Sequence, residues 1–458
     1  MTSKQNKTID YADKAMFFGC CAMTFFLPIS NALVESFFGV ILLSFLIKRT
    51  AIFIELKRSS NLAGFLSKIK LFFKSYKPAA TQCNYAIFLY IFAAFLSAIF
   101  GKYPIISFEG LVSKLLEGII IFWIFVEAIS SRDRFKIWLT IFLGISFVVI
   151  NNGIFQYIFK KGFVHGYSEA ILTEGRIQSC FKHSNKLAGY LVFVIPILLS
   201  RFIQFIPTFN KRNNIVETKT KRTSLLVKRI FYGVFFLAGL ICLGLTFSRS
   251  AWIAIIASFI FMVWGRRRIT IVLAICISLF LMIFIPKMLK ERKINTTGED
   301  GIFNTSSRPQ YWSSALIIIK ENPIFGTGIN TYSKVGREYE REGKIEWGGY
   351  PHNCYLQMWA ELGILGLLAF FWILYRIFSS SINVLRQCGD KKMFNLLLGV
   401  LAGFLGFLVH SFFDTNFYAG KIAVLMWIMI GIIMVLQRII NQPDKIFCIK
   451  RELTKIKC

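Results

Sequence analysis

The chain has 458 residues, of which 55% are hydrophobic and 16% aromatic, and it carries a formal net charge of +30. A mean hydropathy of +0.58 excludes an ordinary soluble domain. Nucleic-acid binding is disfavoured, because no aromatic–basic patch or binding motif accompanies the positive charge. The composition predicts an all-α, polytopic membrane protein that contacts membrane lipids.

About twelve apolar segments are predicted to cross the membrane, since a span needs about 20 residues to cross a hydrocarbon core ~30 Å thick. Nine fall within residues 1–286 and three within 356–437, separated by a long loop with short helices at 287–355 and followed by a basic tail at 438–458. The predicted spans are 14–30, 32–47, 84–100, 111–129, 135–158, 184–205, 230–247, 250–264, 269–286, 356–376, 394–412 and 418–437.

Lysines and arginines are distributed unevenly between the loops. They concentrate in segments such as 48–82, 206–229 and 438–458, whereas the long loop has ten basic and eight acidic residues. Cytoplasmic loops of membrane proteins carry the excess of positive charge. This asymmetry predicts that both termini are cytoplasmic and that 287–355 lies on the opposite side.

Polar residues that could support chemistry concentrate on that opposite side. His165, Arg176 and His183 lie in the predicted loop 159–186. The other three clusters are SRS at 248–250, the long loop, and HSFFD at 410–414. Collected polar groups at a membrane edge favour chemistry on a lipid-borne substrate.

Arg249 is predicted at the tip of a tight helical hairpin formed by 230–264, with Ser248 or Ser250 available to cap a helix start. An arginine near hydrocarbon is costly unless it is paired or faces a polar cavity. Its planar guanidinium suits a phosphate group better than lysine does. The alternative is an interfacial arginine that reaches for lipid headgroups.

Arg308 is predicted to open an amphipathic helix at 308–321, capped by Ser306 or Ser307 and ended by Asn322-Pro323. The glycines of GTG at 326–328 then predict a turn. Arg308 could bind an anion in this position, or it could be a solvated residue on an ordinary capped helix.

His352 precedes a predicted span, so it is placed at a helix N-terminus just outside the membrane. A neutral imidazole there could accept a proton, because a helix N-terminus disfavours imidazolium. The alternative is a structural or capping histidine, and Asn353 is a second candidate for the cap. His410 and Asp414 are four residues apart, which predicts that they share a helix face, either as an oriented pair near the outer surface or as two residues that simply satisfy each other.

The sequence lacks G-x-x-x-x-G-K-[ST], D-x-D and H-E-x-x-H motifs, and no His or Cys pair has convincing metal spacing. We therefore expect no cofactor and no metal. Catalysis would have to use an already activated donor. Cys180 and Cys354 are the two cysteines predicted outside, and a disulfide between them stays open.

Taken together, these motifs resemble the O-antigen ligase and polymerase superfamily of bacterial envelope glycosyltransferases. The resemblance covers roughly residues 175–420. The matching segments are GRIQSCFKHSNKLAGYLVFVIP at 175–196, TFSRSAW at 246–252, RPQYW at 308–312, NPIFGTGINTY at 322–332, PHNCYLQMWAELGILG at 351–366 and LVHSFFD at 408–414.

The resemblance implies a multi-pass protein of the bacterial inner membrane that takes a glycan from an undecaprenyl-diphosphate donor at the periplasmic face. Ligases pass the glycan to a sugar of the lipid A core, and polymerases pass it to another lipid-linked unit. Neither requires nucleotide or metal, and a single displacement would invert the anomeric centre. The implied roles are diphosphate binding by Arg176, Arg249 and Arg308, a general base at His352, and support from His183, His410 and Asp414.

The twelve predicted spans and the single dominant loop favour a ligase over a polymerase. A transporter of a small anion is the alternative from a different functional class, because arginines near the membrane also mark transport routes. Transport requires polar residues through the depth of the bilayer, whereas the predicted polar residues collect at one edge.

Overall fold

The computed structural model describes residues 3–59, 65–164, 175–205, 219–263, 307–345, 349–418 and 420–442. Every regular element in those ranges is a helix, so the predicted all-α class is confirmed for them. The α-helices are α1 (Ser3–Phe26), α2 (Asn31–Ser59), α3 (Phe65–Ser75), α4 (Asn84–Phe100), α5 (Pro104–Gly110), α6 (Glu117–Ala128), α7 (Arg132–Phe159), α8 (Ser184–Gln204), α9 (Lys219–Leu245), α10 (Arg249–Val263), α11 (Ser307–Glu321), α12 (Tyr332–Arg341), α13 (Cys354–Gln387), α14 (Lys391–Ser411) and α15 (Gly420–Asn441). A π-helical turn at Leu111–Leu116 joins α5 to α6, and a 3₁₀ turn occupies Asn416–Tyr418.

Seven of the described helices are long and apolar enough to cross a membrane, as expected of a multi-pass membrane protein: α2, α7, α8, α9, α13, α14 and α15. The predicted spans 14–30, 84–100, 111–129 and 250–264 fall on helices that are shorter, interrupted or less apolar. The predicted span 269–286 lies outside the described residues. The total of twelve spans and the side of the membrane that the long loop faces stay predictions.

The centre of the bundle is formed by α8, α14 and α15, whose most apolar stretches are 78%, 83% and 83% buried. α14 approaches α8 closely because it carries Gly399 and Gly403 on the facing side. A methyl group on Gly399 would lie 2.5 Å from Ser200 Cβ, and one on Gly403 would lie 2.5 Å from the carbonyl oxygen of Phe193. Glycines lack the side chain that would make these contacts, so they allow the two membrane helices to pack closely.

Helix α13 is interrupted at Gly363, whose φ of 67° and ψ of −175° are not helical. The stretch 364–387 alone exceeds the ~20 residues that a span requires. The first segment of α13 (354–362), before the interruption, is therefore not needed to cross the membrane. α11 and α12 pack against it through an apolar cluster of Ala315, Ile318, Ile319, Tyr332, Val335, Tyr339, Ile345 and Ala360.

Four connecting loops meet at one end of the bundle, called the site end below: 175–183, 246–248, 351–353 and 412–418. Two contacts establish this meeting. Lys186 Nζ, near the start of α8, lies 3.3 Å from Asp414 Oδ1, just past the end of α14. The amide of Ile177 donates a 3.3 Å hydrogen bond to the carbonyl oxygen of Leu245. The helices thus bring together three of the four polar clusters that the sequence singles out, and the fourth joins them through His352.

Candidate active site

The hairpin that carries Arg249 has the predicted form. α9 ends at Leu245, α10 begins at Arg249, and three residues connect them. The amides of Ala251 and Trp252 donate to the carbonyl oxygen of Ser248, which starts the helix. Arg249 is therefore held at the first position of α10, half-buried at the site end.

Arg176 ties its loop to this hairpin. Its Nε donates a 2.9 Å hydrogen bond to the carbonyl oxygen of Thr246, and its Nη2 donates a 2.8 Å bond to Asn185 Oδ1. On the α7 side, Gln156 Oε1 accepts the amides of Gln178 and Ser179 at 2.9 and 2.8 Å. Part of the guanidinium of Arg176 thus fastens the loop beside Arg249, and its role in binding a diphosphate stays a prediction.

Arg308 lies in the first turn of α11, Ser307–Glu321, close to the predicted helix. Its guanidinium carbon is 5.9 Å from the ring centre of Phe413. Burial lowers the pKa of Arg308, the charge of Asp414 raises it, and the charge of Arg249 lowers it. The last effect shows that Arg249 and Arg308 are within electrostatic reach of each other. In the described ranges, no carboxylate lies within ion-pair distance of either one.

Asn353, not His352, caps the start of α13. Its side-chain oxygen accepts the amides of Tyr355 and Leu356 at 3.0 and 3.1 Å. His352 has a φ of 46°, which is unusual for a residue with a side chain. Such backbone conformations recur at functional sites. The imidazole is thereby released from capping and directed into the site end.

The imidazole of His352 is held between α11 and the loop after α14. Its Nδ1 lies 3.6 Å from Asp414 Oδ1, and its side chain is 45% exposed. The ring centre of Tyr311 is 6.1 Å away. Trp312 Nε1 donates a 3.0 Å hydrogen bond to the carbonyl oxygen of Pro351, which fixes the position of the neighbouring backbone.

Asp414 is the hub of the site. Its Oδ1 accepts the amide of Thr415 at 2.7 Å and contacts both Lys186 and His352. Burial raises the pKa of Asp414, but the contact with His352 and the charge of Lys186 outweigh burial, so the pKa lies well below its ordinary value. The carboxylate is therefore ionised at neutral pH and can orient the imidazole.

The predicted pairing of His410 with Asp414 on one helix face is wrong. α14 ends at Ser411, so Asp414 lies in the following loop. The fully buried His410 instead places Nδ1 2.8 Å from Asn416 Nδ2, which also donates to Ser411 Oγ at 3.1 Å. His410 supports the loop that carries Asp414 through its contact with Asn416. It forms no ion pair with Asp414, but its charge helps to lower the pKa of that carboxyl group.

His183 precedes α8 and is exposed, and its side chain makes no hydrogen bond or ion pair within the described ranges. His165 lies outside the described residues. Lys186, one turn after His183, provides the contact with Asp414 instead. A supporting role for His183 stays a prediction, and Lys186 is the residue on α8 that contacts Asp414.

Cys180 and Cys354 are both buried free thiols. Cys354 Sγ donates to the carbonyl oxygen of Asp414 at 3.0 Å and accepts the amide of Phe417 at 3.3 Å. The disulfide left open by the sequence is not formed. Cys354 instead links the start of α13 to the loop that carries Asp414.

Comparisons with known proteins show similarity over part of the chain. Residues 234–371 match the family model described as O-antigen ligase, which confirms the resemblance over that segment. The segment contains Arg249, Arg308 and His352, whereas Lys186 and Asp414 lie outside it. No cluster of three His, Cys, Asp or Glu side chains that could hold a metal is found in the described ranges.

Two relatives show the same distant similarity. An uncharacterized protein of Haemophilus influenzae is 29% identical over 151 residues, which are 29% of this chain and 38% of that protein. A Rickettsia conorii protein provisionally named a polysaccharide ligase is 28% identical over 140 residues, which are 29% of this chain and 31% of that protein. The match therefore spans about a third of each relative.

Proposed function

We propose that the chain is a membrane glycosyltransferase of the O-antigen ligase type. Its donor is a glycan on undecaprenyl diphosphate, and its acceptor is a sugar hydroxyl of a lipid A core at the periplasmic face of the bacterial inner membrane. The observation that carries this proposal is the meeting of Arg249, Arg308, His352 and Asp414 at the site end. The match to the O-antigen ligase family model supports it.

His352 is the general base of the proposed reaction. Because Nδ1 faces the ionised carboxylate of Asp414, we assign the proton to Nδ1, which leaves the lone pair on Nε2. Nε2 accepts the proton of the acceptor hydroxyl as its oxygen attacks the anomeric carbon. The resulting imidazolium is stabilised by the negative charge of Asp414, as in other base–carboxylate pairs.

The leaving group is the lipid diphosphate. As the bond between the anomeric carbon and the diphosphate oxygen breaks, the electron pair stays on that oxygen, and its new negative charge faces Arg249 and Arg308. Fixed cations in a site that excludes water stabilise such charge strongly. A single displacement inverts the configuration of the anomeric centre. The chemistry uses no nucleotide and no metal.

Three further residues support the base and the arginines. Lys186 contacts the same Asp414 oxygen as His352, so it keeps the carboxylate ionised and fixes its orientation. Arg176 fastens the 175–183 loop to the hairpin tip and so supports Arg249 from behind. His410 braces the loop of Asp414 from within the bundle.

Reconstituted vesicles provide the test. The purified protein is supplied with a polymeric glycan on undecaprenyl diphosphate and with lipid A core, and the products are separated on a gel. A ligase attaches the polymer to the core, whereas a polymerase extends single lipid-linked units and leaves the core unmodified. If the protein forms neither product at any concentration, the glycosyltransferase proposal is wrong and the anion-transport alternative is tested next.

A further inference from the structure

The break in α13 is filled by the glycine-containing turn that follows α11. The amides of Thr327 and Gly328 donate to the carbonyl oxygens of Ala360 and Glu361, each at 2.9 Å. In return, the amide of Ile364 donates to the carbonyl oxygen of Pro323 at 2.9 Å. The turn therefore satisfies helix groups that the interruption leaves without their usual partners.

Glycine is required on both sides of this junction. Gly326 has a φ of 71°, and a methyl group there would lie 2.4 Å from the carbonyl oxygen of Glu361. Gly363 has a φ of 67°, and its methyl group would lie 2.0 Å from the carbonyl oxygen of Ile324. The contact is made by backbone against backbone, so it leaves little freedom to slide.

The side chain of Glu361 closes the same junction. It is 1% exposed, and its Oε2 accepts the amide of Asn330 at 3.1 Å. Its Oε1 accepts the amide of Tyr332 at 3.2 Å and Gln357 Nε2 at 3.3 Å. The carboxyl group thus holds the N-terminus of α12; burial raises its pKa to about 7, and its hydrogen bonds to Asn330, Gln357 and Tyr332 act to lower it. In the described ranges it has no ion-pair partner.

This junction sets the position of α11 along α13. α11 runs from Arg308, at the site end, to the turn that Glu361 holds. The first segment of α13 (354–362) runs from the Asn353 cap, beside His352, to Glu361. The two segments are joined at the site end by the bond from Trp312 to Pro351. A shift at the junction would therefore be transmitted along α11 to the guanidinium of Arg308.

We infer that Glu361 is a positioning residue that fixes Arg308 relative to His352. This inference rests on the proposed function, in which one residue holds the leaving group and the other activates the acceptor. Glu361 touches neither substrate. It acts by keeping the turn 322–332 in a single register on α13, and misplacement of reacting groups by about 1 Å can cost 10²-fold in rate.

The register is tested first, without any need for turnover. Tyr311→Cys and His352→Cys introduce two cysteines across the α11–α13 contact, and the oxidatively linked peptide is quantified by mass spectrometry. Disulfide formation depends steeply on distance and direction. Adding Glu361→Gln should lower the yield at least about fivefold, because the amide presents N–H groups to backbone N–H donors. An unchanged yield would overturn the inference.

The kinetic test is done in the protein that keeps Tyr311 and His352, without the two introduced cysteines. Glu361→Gln should lower kcat by about 10²-fold, with donor KM within about threefold, per folded protein. The double variant with Arg308→Lys should lose little more than Arg308→Lys alone, because both act on the same contact. Independent, multiplying losses would overturn the inference.

Gln437→Leu is the matched control. Gln437 is a buried amide on α15 that donates to Ser380 and Ser381, far along α13 from the junction. It should lower thermal stability without changing kcat per folded protein or the cross-linking yield. If wild-type protein transfers no glycan while the cross-link responds to Glu361→Gln, the positioning role stands and the proposed chemistry fails.

Discussion

The two ends of the bundle use charge in opposite ways. At the end opposite the site, Lys48 Nζ contacts Asp13 Oδ1 at 2.5 Å and Glu127 Oε1 at 2.8 Å. Arg49 pairs with the other oxygen of Glu127, and Arg134 Nη1 lies 2.6 Å from Asp13 Oδ2. These contacts connect α1, α2, α6 and α7. The cations there are already compensated by carboxylates of the chain.

At the site end, Arg249 and Arg308 lie near each other, and in the described ranges neither forms an ion pair with a carboxylate. The carboxylate of Asp414 contacts Lys186 and His352 instead. Two neighbouring cations repel each other, so an external anion that contacts both would stabilise their arrangement. The opposite-end cluster is thus suited to holding helices together. In the proposed function, the cations of the site end bind the diphosphate of the donor.

Removal of the base should have the largest effect on activity. His352→Ala should lower the rate of glycan transfer by about 10²- to 10⁴-fold, the usual contribution of general base catalysis. His352→Gln should not restore it, because an amide cannot accept the proton. The rate of glycan transfer in reconstituted vesicles measures both. A fully active glutamine variant would reduce His352 to an orienting hydrogen bond.

The arginines at the two ends should respond differently to lysine. Arg249→Lys should lose most of the transfer rate, roughly 10-fold or more, because lysine cannot bind a phosphate through two parallel hydrogen bonds. Arg134→Lys, in the opposite-end cluster, should keep the rate per folded protein. Equal losses at the two positions would contradict the distinction drawn between the ends.

Lys186→Gln should change the pH dependence of transfer. The charge of Lys186 helps to lower the pKa of Asp414, so its removal should raise that pKa. Asp414 would then take up a proton at a higher pH than in the wild type, so on acidification its support for the imidazole should be lost at a higher pH. At neutral pH we expect roughly a tenfold lower rate.

The matched control for this variant is Lys182→Gln, because Lys182 is an exposed lysine in the 175–183 loop, just before α8. Its pH–rate profile should coincide with that of the wild type. A Lys186→Gln profile that also coincides would show that Lys186 has no influence on the base.

Glu127→Gln should have the smallest effect on chemistry and a large one on stability. It removes the carboxylate that pairs with Arg49 and one of the two that pair with Lys48, and breaking a buried ion pair costs about 3–5 kcal/mol. Thermal unfolding in detergent should show the loss, with an unchanged rate per folded protein. Asp133→Asn, at the exposed pair with Lys136, should leave the unfolding temperature unchanged. A reduced rate in Glu127→Gln would mean that the two ends are coupled.

Local features of this chain could be predicted from its sequence. The hairpin around Arg249, the helix that begins at Arg308 and the alternative cap at Asn353 all depend on residues within a few positions of one another. Their causes are capping, the length of apolar runs and the turn-forming glycines. The structure has each of them close to the predicted boundaries.

Long-range partners could not be predicted in the same way. Lys186 contacts Asp414, which is 228 residues away in the chain. Nothing in the local sequence distinguishes Lys186 from the nearby Lys182. Glu361 likewise reads as one polar residue in an apolar helix until its bonds to the amides of Asn330 and Tyr332 are seen.

The incorrect pairing of His410 with Asp414 has a physical reason. A four-residue spacing places side chains together only while the helix continues, and α14 ends at Ser411. A carboxylate is unfavourable at a helix C-terminus, because the macrodipole is negative there. Leaving the helix allows Asp414 to meet Lys186 and His352.

The glycines of α14 have a consequence far from where they lie. Lys186 is on α8 and Asp414 follows α14, so the separation of these two helices fixes the length of their ion pair, which in the proposed function orients the base. Gly399 and Gly403 set that separation in the middle of the bundle. The transfer rate should therefore depend on the distance between α8 and α14. A single methyl group added at Gly399 or Gly403 should abolish activity even though every polar residue of the site is kept.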